Sequence, residues 1–79
     1  TYAWVNVQLG NLDKAQPVLE RVVSLSPDVA VFNYHLGVLY NKQGNNLEAE
    51  QYLSSAKRLA SEQGDTVTAA GADELLKQL

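Results

Sequence analysis

A Gly-Asn pair occurs twice in this chain, at Gly10-Asn11 and at Gly44-Asn45, and the residues after each pair repeat as well. Sliding the chain against itself by that step sets residues 1–27 against residues 35–61. Five positions are then identical: Gly10/Gly44, Asn11/Asn45, Ala15/Ala49, Leu19/Leu53 and Leu25/Leu59. Ala15, Leu19, Val22 and Leu25 return as Ala49, Leu53, Ala56 and Leu59. Steps of four, three and three residues put these on one face of a helix. Glycine permits positive φ just past a helix end, and asparagine offers a side-chain oxygen to the next helix. A period of this length means stacked copies of one supersecondary unit, each burying its apolar face against its neighbours.

The period organises the rest of the chain. A first helix is expected over 1–9 and a second over about 12–25. Pro17 falls in the second turn of that helix, where a missing hydrogen bond or a slight bend is expected near Asp13. Ser26-Pro27-Asp28 is a stop and restart, with Asp28 as N-cap of a third helix over roughly 29–43. A fourth helix is expected over about 46–62. Gly64-Asp65 breaks it, and Asp65 can cap a last helix that is firmest over 72–79. Thr66, Val67, Thr68 and Gly71 are weaker helix formers and blur its start. No β-branched run alternates long enough to suggest a strand.

Composition removes several functions. The chain has no cysteine, which excludes disulfides, thiolate metal ligands and cysteine nucleophiles. Its net charge is −3, which argues against a nucleic-acid partner. No apolar run approaches the roughly 20 residues of a membrane-spanning helix, so no membrane insertion is expected in this segment. The chain begins with Thr1 and contains no methionine, which leads us to expect a piece of a longer protein; compartment is not read from it.

The third helix reads Asn33-Tyr34-His35-Leu36-Gly37-Val38-Leu39-Tyr40, followed by Gly44, Ala49, Leu53 and Ala56. This resembles the tetratricopeptide repeat, whose signature is W-x₂-L-G-x₂-Y, then A-x₃-F, then A, then P. Leu36, Gly37 and Tyr40 match the first segment; Ala49, Leu53 and Ala56 match the second, with Leu for Phe. In the earlier copy Tyr2 and Ala3 stand for Leu and Gly, and Gly10, Ala15, Leu19, Val22 and Pro27 come in step. Asn33 replaces the Trp, Asn6 stands where an aromatic is usual, and Ser61 replaces the final Pro. The wording Tyr34-His35-Leu36-Gly37 is similar to the final repeats of long bacterial tetratricopeptide proteins, some linked to exopolysaccharide export and outer-membrane machinery.

The resemblance implies an all-α fold: a right-handed solenoid of antiparallel helix pairs in a single domain, 1–79. Residues 1–27 would be a truncated first repeat, 28–62 a second, and 65–79 a C-terminal capping helix that solvates the end of a longer array. In that helix Val67, Leu75, Leu76 and Leu79 are expected to share an inward face.

Chemistry is sparse. His35 is the only histidine and has no acidic neighbour one turn away. That leaves it without the partner a general base or metal site needs, and a partly exposed helix histidine is expected. Glu48/Glu50 and Asp73/Glu74 diverge on their helices rather than facing across a cleft. Lys57-Arg58 is too short for a basic patch. The glycines form no phosphate loop, and the serines at 24, 26, 54, 55 and 61 have no nucleophile-elbow context. No enzyme and no cofactor are expected.

The aromatics are more informative. Tyr40 sits at a packing position. The resemblance implies that the first helices of successive repeats line a concave face. That face would carry Trp4, Val7 and Gln8, then Val31, Tyr34, Val38, Asn41 and Lys42. Aromatic, amide and apolar groups on a groove suit a peptide or protein partner of unknown identity. Because these positions are mainly Val, Tyr and Trp, a Lys/Asn/Arg clamp for chaperone carboxylate tails is not expected. The alternative is a purely structural role, these repeats ending a scaffold whose ligand binds upstream or through self-association.

Overall fold

Each expected break is a helix end. The computed structural model describes the backbone of residues 2–79 and the side chains of residues 4–79. It contains α1 (Tyr2–Gln8), α2 (Leu12–Leu25), α3 (Ala30–Lys42), α4 (Asn46–Gln63) and α5 (Thr66–Gln78). No strand occurs among the described residues. Thr1, and the packing roles expected of the Tyr2 and Ala3 side chains, lie outside the described residues.

Helices α1, α3 and α4 stop in the same way. After α3, Gly44 takes φ +80°. Its N–H donates to the Asn41 carbonyl at 3.1 Å, and the Asn45 N–H reaches five residues back to the Tyr40 carbonyl at 2.9 Å. This is the Schellman closure, in which a left-handed residue lets two N–H groups satisfy the last carbonyls of a helix. The same pair of bonds closes α1 (Gly10 to Val7, Asn11 to Asn6) and α4 (Gly64 to Ser61, Asp65 to Ala60). The asparagines therefore serve through their backbone. Neither Asn11 nor Asn45 caps the next helix with its side chain, contrary to the sequence expectation. The Asn11 amide donates to Asn6 Oδ1 instead, and that of Asn45 to Gln43 Oε1. Asp65 does cap: its carboxylate accepts from the Thr68 N–H at 3.1 Å. Hydrogen bonding to Thr68 holds the Asp65 carboxyl below the usual carboxylate range.

Asp28 does not cap α3; Val29 holds the N-cap position and makes no side-chain bond there. The entry is tied from inside the helix. Asn33 is 3% exposed, and its amide donates to the Pro27 carbonyl at 3.0 Å and the Val29 carbonyl at 2.9 Å. An amide at this buried position binds the preceding loop through both of its protons.

Successive helices pack in antiparallel pairs, α1 with α2 and α3 with α4, and α5 lies against α4. The backbones of the odd helices α1, α3 and α5 also approach one another in series, whereas those of α2 and α4 do not. The crossing of α3 and α4 is the tightest. A Cβ on Gly37 would lie 2.7 Å from Leu53 Cγ and 3.1 Å from the Leu53 backbone nitrogen, so only glycine fits. The small residues Ala49 and Ala56 are fully buried, and Leu53 fills the space over Gly37. Leu36, Leu39, Leu53 and Val7 are the largest side chains sealed in the core.

Two inward stripes differ from expectation. On α2, Ala15, Leu19 and Val23 are buried, Val22 is half-buried, and Leu25 is 72% exposed. On α5, Thr68 and Ala72 face inward; Leu75 and Leu76 are half-buried, and Val67 and Leu79 are exposed. Helix α5 is continuous from Thr66, so its weak formers do not blur its start. Packing overrides propensity there.

Candidate partner-binding face

The candidate residues lie on the odd helices, whose mutual contact makes one layer. At its centre three rings from two helices meet. The Trp4 and His35 rings stack with centroids 4.0 Å apart and planes 9° from parallel. Tyr34 leans on both, 6.3 Å from Trp4 and 6.0 Å from His35. All three are half-buried. His35 is the partly exposed helix histidine expected, and its ring is held by stacking on Trp4. Burial pushes its imidazole down to about 4, so it is neutral near pH 7.

The other candidates divide by depth. Val31 and Asn41 are half-buried, and Gln8 and Lys42 are exposed. Val7 and Val38 are 0% and 7% exposed. These two valines sit beneath the face, in the core that joins the odd helices, and offer a ligand almost no surface. Their burial follows from the contact of α1, α3 and α5, which pairing within a helix pair does not predict.

Helix α5 belongs to the same layer, a role that sequence reasoning misses. Thr68, Ala72, Leu75 and Leu76 fall one period after Tyr34, Val38, Asn41 and Lys42. The available signal is Gly71, one period after Gly37; the match of 1–27 with 35–61 does not reach it. A Cβ on Gly71 would lie 2.9 Å from the Tyr34 hydroxyl oxygen and 3.1 Å from Cζ, so the phenol of α3 rests directly over α5. Among the described residues no group hydrogen-bonds the Tyr34 hydroxyl, and it keeps contact with solvent. The face therefore carries aromatic and aliphatic area with a phenol, two amides and an ammonium on it.

Tyr40 is a different kind of tyrosine. It is 8% exposed, stacks on Tyr52 at 5.6 Å, and donates from its hydroxyl to Glu20 of α2 at 2.8 Å. Burial, and next the bond to Glu20, push its phenol up to about 12. It joins α2, α3 and α4 and is core, as expected.

The ion pairs of α4 and α5 lie on the surface. Asp73 of α5 accepts from Lys57 of α4 at 2.7 Å and from Lys77 at 3.2 Å, which holds its carboxyl below the usual range. Exposed pairs of this kind add little stability. Among the described residues no cluster of three or more His, Cys, Asp or Glu could hold a metal, and no helix is long and apolar enough to cross a membrane.

Comparison with known proteins gives a family and no individual relative. No curated protein and no solved structure matches the chain. The family model for the tetratricopeptide repeat matches residues 6–72, which takes in part of α1, all of α2 to α4 and the first half of α5. With the Schellman-closed helix pairs and the Gly37–Leu53 crossing, this match establishes that the chain belongs to the tetratricopeptide repeat family.

Proposed function

We propose that the chain is a protein-interaction module that takes a peptide or protein segment on the face formed by α1, α3 and α5, without catalysis. Tetratricopeptide repeats generally act as protein-interaction modules, and the aromatic cluster of this chain lies on the odd helices. The observation that carries the reading is Tyr34: a half-buried aromatic beside Trp4 and His35 whose hydroxyl has no protein partner among the described residues. Such a side chain supplies rigid apolar area and one polar contact, the combination favoured at interface anchors. The layering supports a groove on this side, because contact among odd helices and separation of even ones bends a two-layer stack toward the odd ones.

The test compares two tyrosines. Peptides are selected from a random library on the immobilised chain, and their affinities are measured for both variants. Tyr34→Ala should weaken binding by about 2 kcal/mol, roughly thirtyfold. Tyr40→Ala should lower the melting temperature first and binding only as a consequence. Selected peptides that bind Tyr34→Ala as well as the parent chain would sink the reading.

A structural role through self-association draws support from one other surface. Val18 and Leu25, 45% and 72% exposed, lie two turns apart on one side of α2 with half-buried Val22 between them. An apolar stripe of this kind suits packing against another helix. Sedimentation at high concentration tests it: a strict monomer removes this second reading.

A further inference from the structure

We infer that Gly71 is a positioning residue for Tyr34: the empty Cβ position on α5 is the seat of the phenol and fixes the place of its hydroxyl on the face that a partner meets. This rests on the reading of the α1–α3–α5 face as the binding surface. Three observations carry it. First, Gly71 is not a glycine for backbone reasons. Positive φ occurs at Gly10, Gly44 and Gly64 only, whereas Gly71 lies inside the helix Thr66–Gln78 with negative φ. Glycine is among the poorest residues for such a place. Second, the space that a side chain would take is occupied by one group. The three nearest atoms to a Cβ on Gly71 are Tyr34 Oη, Cζ and Cε1, at 2.9, 3.1 and 3.2 Å. At Gly37, in the same register one period earlier, the space is taken by Leu53 of the following helix. The same small residue thus serves the crossing of a helix pair at one site and a contact between odd helices at the other. Third, the hydroxyl of the ring seated there has no hydrogen bond among the described residues and retains contact with solvent. A methyl on residue 71 has to turn the phenol away from α5 or push α5 away from α3. Either movement shifts the hydroxyl and parts the odd layer at the aromatic cluster.

The experiment uses the whole 79-residue chain in four forms: parent, Gly71→Ala, Tyr34→Ala and the double variant. With Tyr34 present, Gly71→Ala should lower the melting temperature. In the Tyr34→Ala background the same change should raise it by about 4 °C, the ordinary gain from alanine over glycine in a helix of a domain this size. Should Gly71→Ala fail to fold, Tyr34→Phe restores a measurable state, since it removes the atom nearest the clash and should shrink the loss. Acetylation of tyrosine hydroxyls by N-acetylimidazole reads position rather than stability. Gly71→Ala should raise the rate at Tyr34 severalfold and leave Tyr40 unchanged. A gain in melting temperature in both backgrounds, or an unaltered rate at Tyr34, overturns the inference. Neither readout involves a ligand. Failure of the binding reading would leave Gly71 and Tyr34 coupled with no peptide bound; failure of the inference would leave peptide affinity indifferent to Gly71→Ala.

Discussion

Leu25 on α2 and Leu59 on α4 hold the same place in successive periods, yet one is 72% exposed and the other 5%. Their helices carry the same core stripe: Ala15 and Leu19 are as deeply buried as Ala49 and Leu53. The difference lies in what surrounds the far end. Leu59 packs in a small cluster with Ala30 of α3, Ala60 and Ala69 of α5. The counterpart of Ala69 one period earlier is His35, which stacks on Trp4 instead. In a stacked helical array, burial belongs to the neighbour as much as to the residue. An identical leucine is core in one helix pair and surface in the other.

Substitutions can break this comparison. The largest effect is expected at the tightest crossing: Leu53→Ala removes a fully buried side chain seated over Gly37 and should cost about 3 kcal/mol in a thermal or urea melt. The comparison itself is tested by Leu59→Ala against Leu25→Ala. The first should cost about 2 kcal/mol and the second less than about 0.5 kcal/mol. Equal losses would mean that Leu25 is covered in solution. Next is the link between the pairs. Tyr40→Phe deletes the bond to Glu20 while keeping the ring against Tyr52, and should cost about 1 kcal/mol. Glu20→Gln, which leaves an acceptor in place, should cost less.

The smallest effect is a pH dependence. The folded-state value of His35, about 4, lies below its ordinary 6.5. Between those values the unfolded chain binds more protons than the folded one, so stability rises with pH across the window. The contribution of neutral His35 is complete above pH 6.5 and is lost as pH falls toward 4. His35→Phe keeps a ring against Trp4 and should flatten the melting temperature over that range. An unchanged slope would assign the pH dependence to other groups.

Much of the fold is legible because periodicity and glycine placement act locally. Gly10, Gly44 and Gly64 set the breaks, and the bounds of α2 agree with the sequence expectation. The departures have non-local causes. Asp28 has a good capping side chain, but Asn33, a turn into α3, already ties down the entering loop. Asn11 and Asn45 have side chains suited to caps, whereas the closure uses their N–H groups, which almost any residue could supply. The start of α5 is weak by propensity, yet Thr68 and Ala72 are held by packing. The candidate face is half legible. Its register picks out Trp4 and Tyr34, but the depth of Val7 and Val38 depends on how closely neighbouring odd helices approach. Gly71 stands in register with Gly37, but the group that fills the space beside it, Tyr34 of α3, is not legible in the sequence.

The five glycines separate by whether chirality or volume is at issue. A Cβ on Gly10, Gly44 or Gly64 meets nothing within 4 Å, and their φ values are +85°, +80° and +76°. Room is plentiful there; only the hand of an L-residue is wrong. A chain of this length is within reach of chemical synthesis, and D-alanine at Gly44 would adopt positive φ as its natural state while narrowing the unfolded ensemble. At Gly37 and Gly71 a D-residue would gain nothing, because both lie inside helices at negative φ; what excludes an L-residue there is room, its Cβ falling within 3.0 Å of Leu53 or Tyr34.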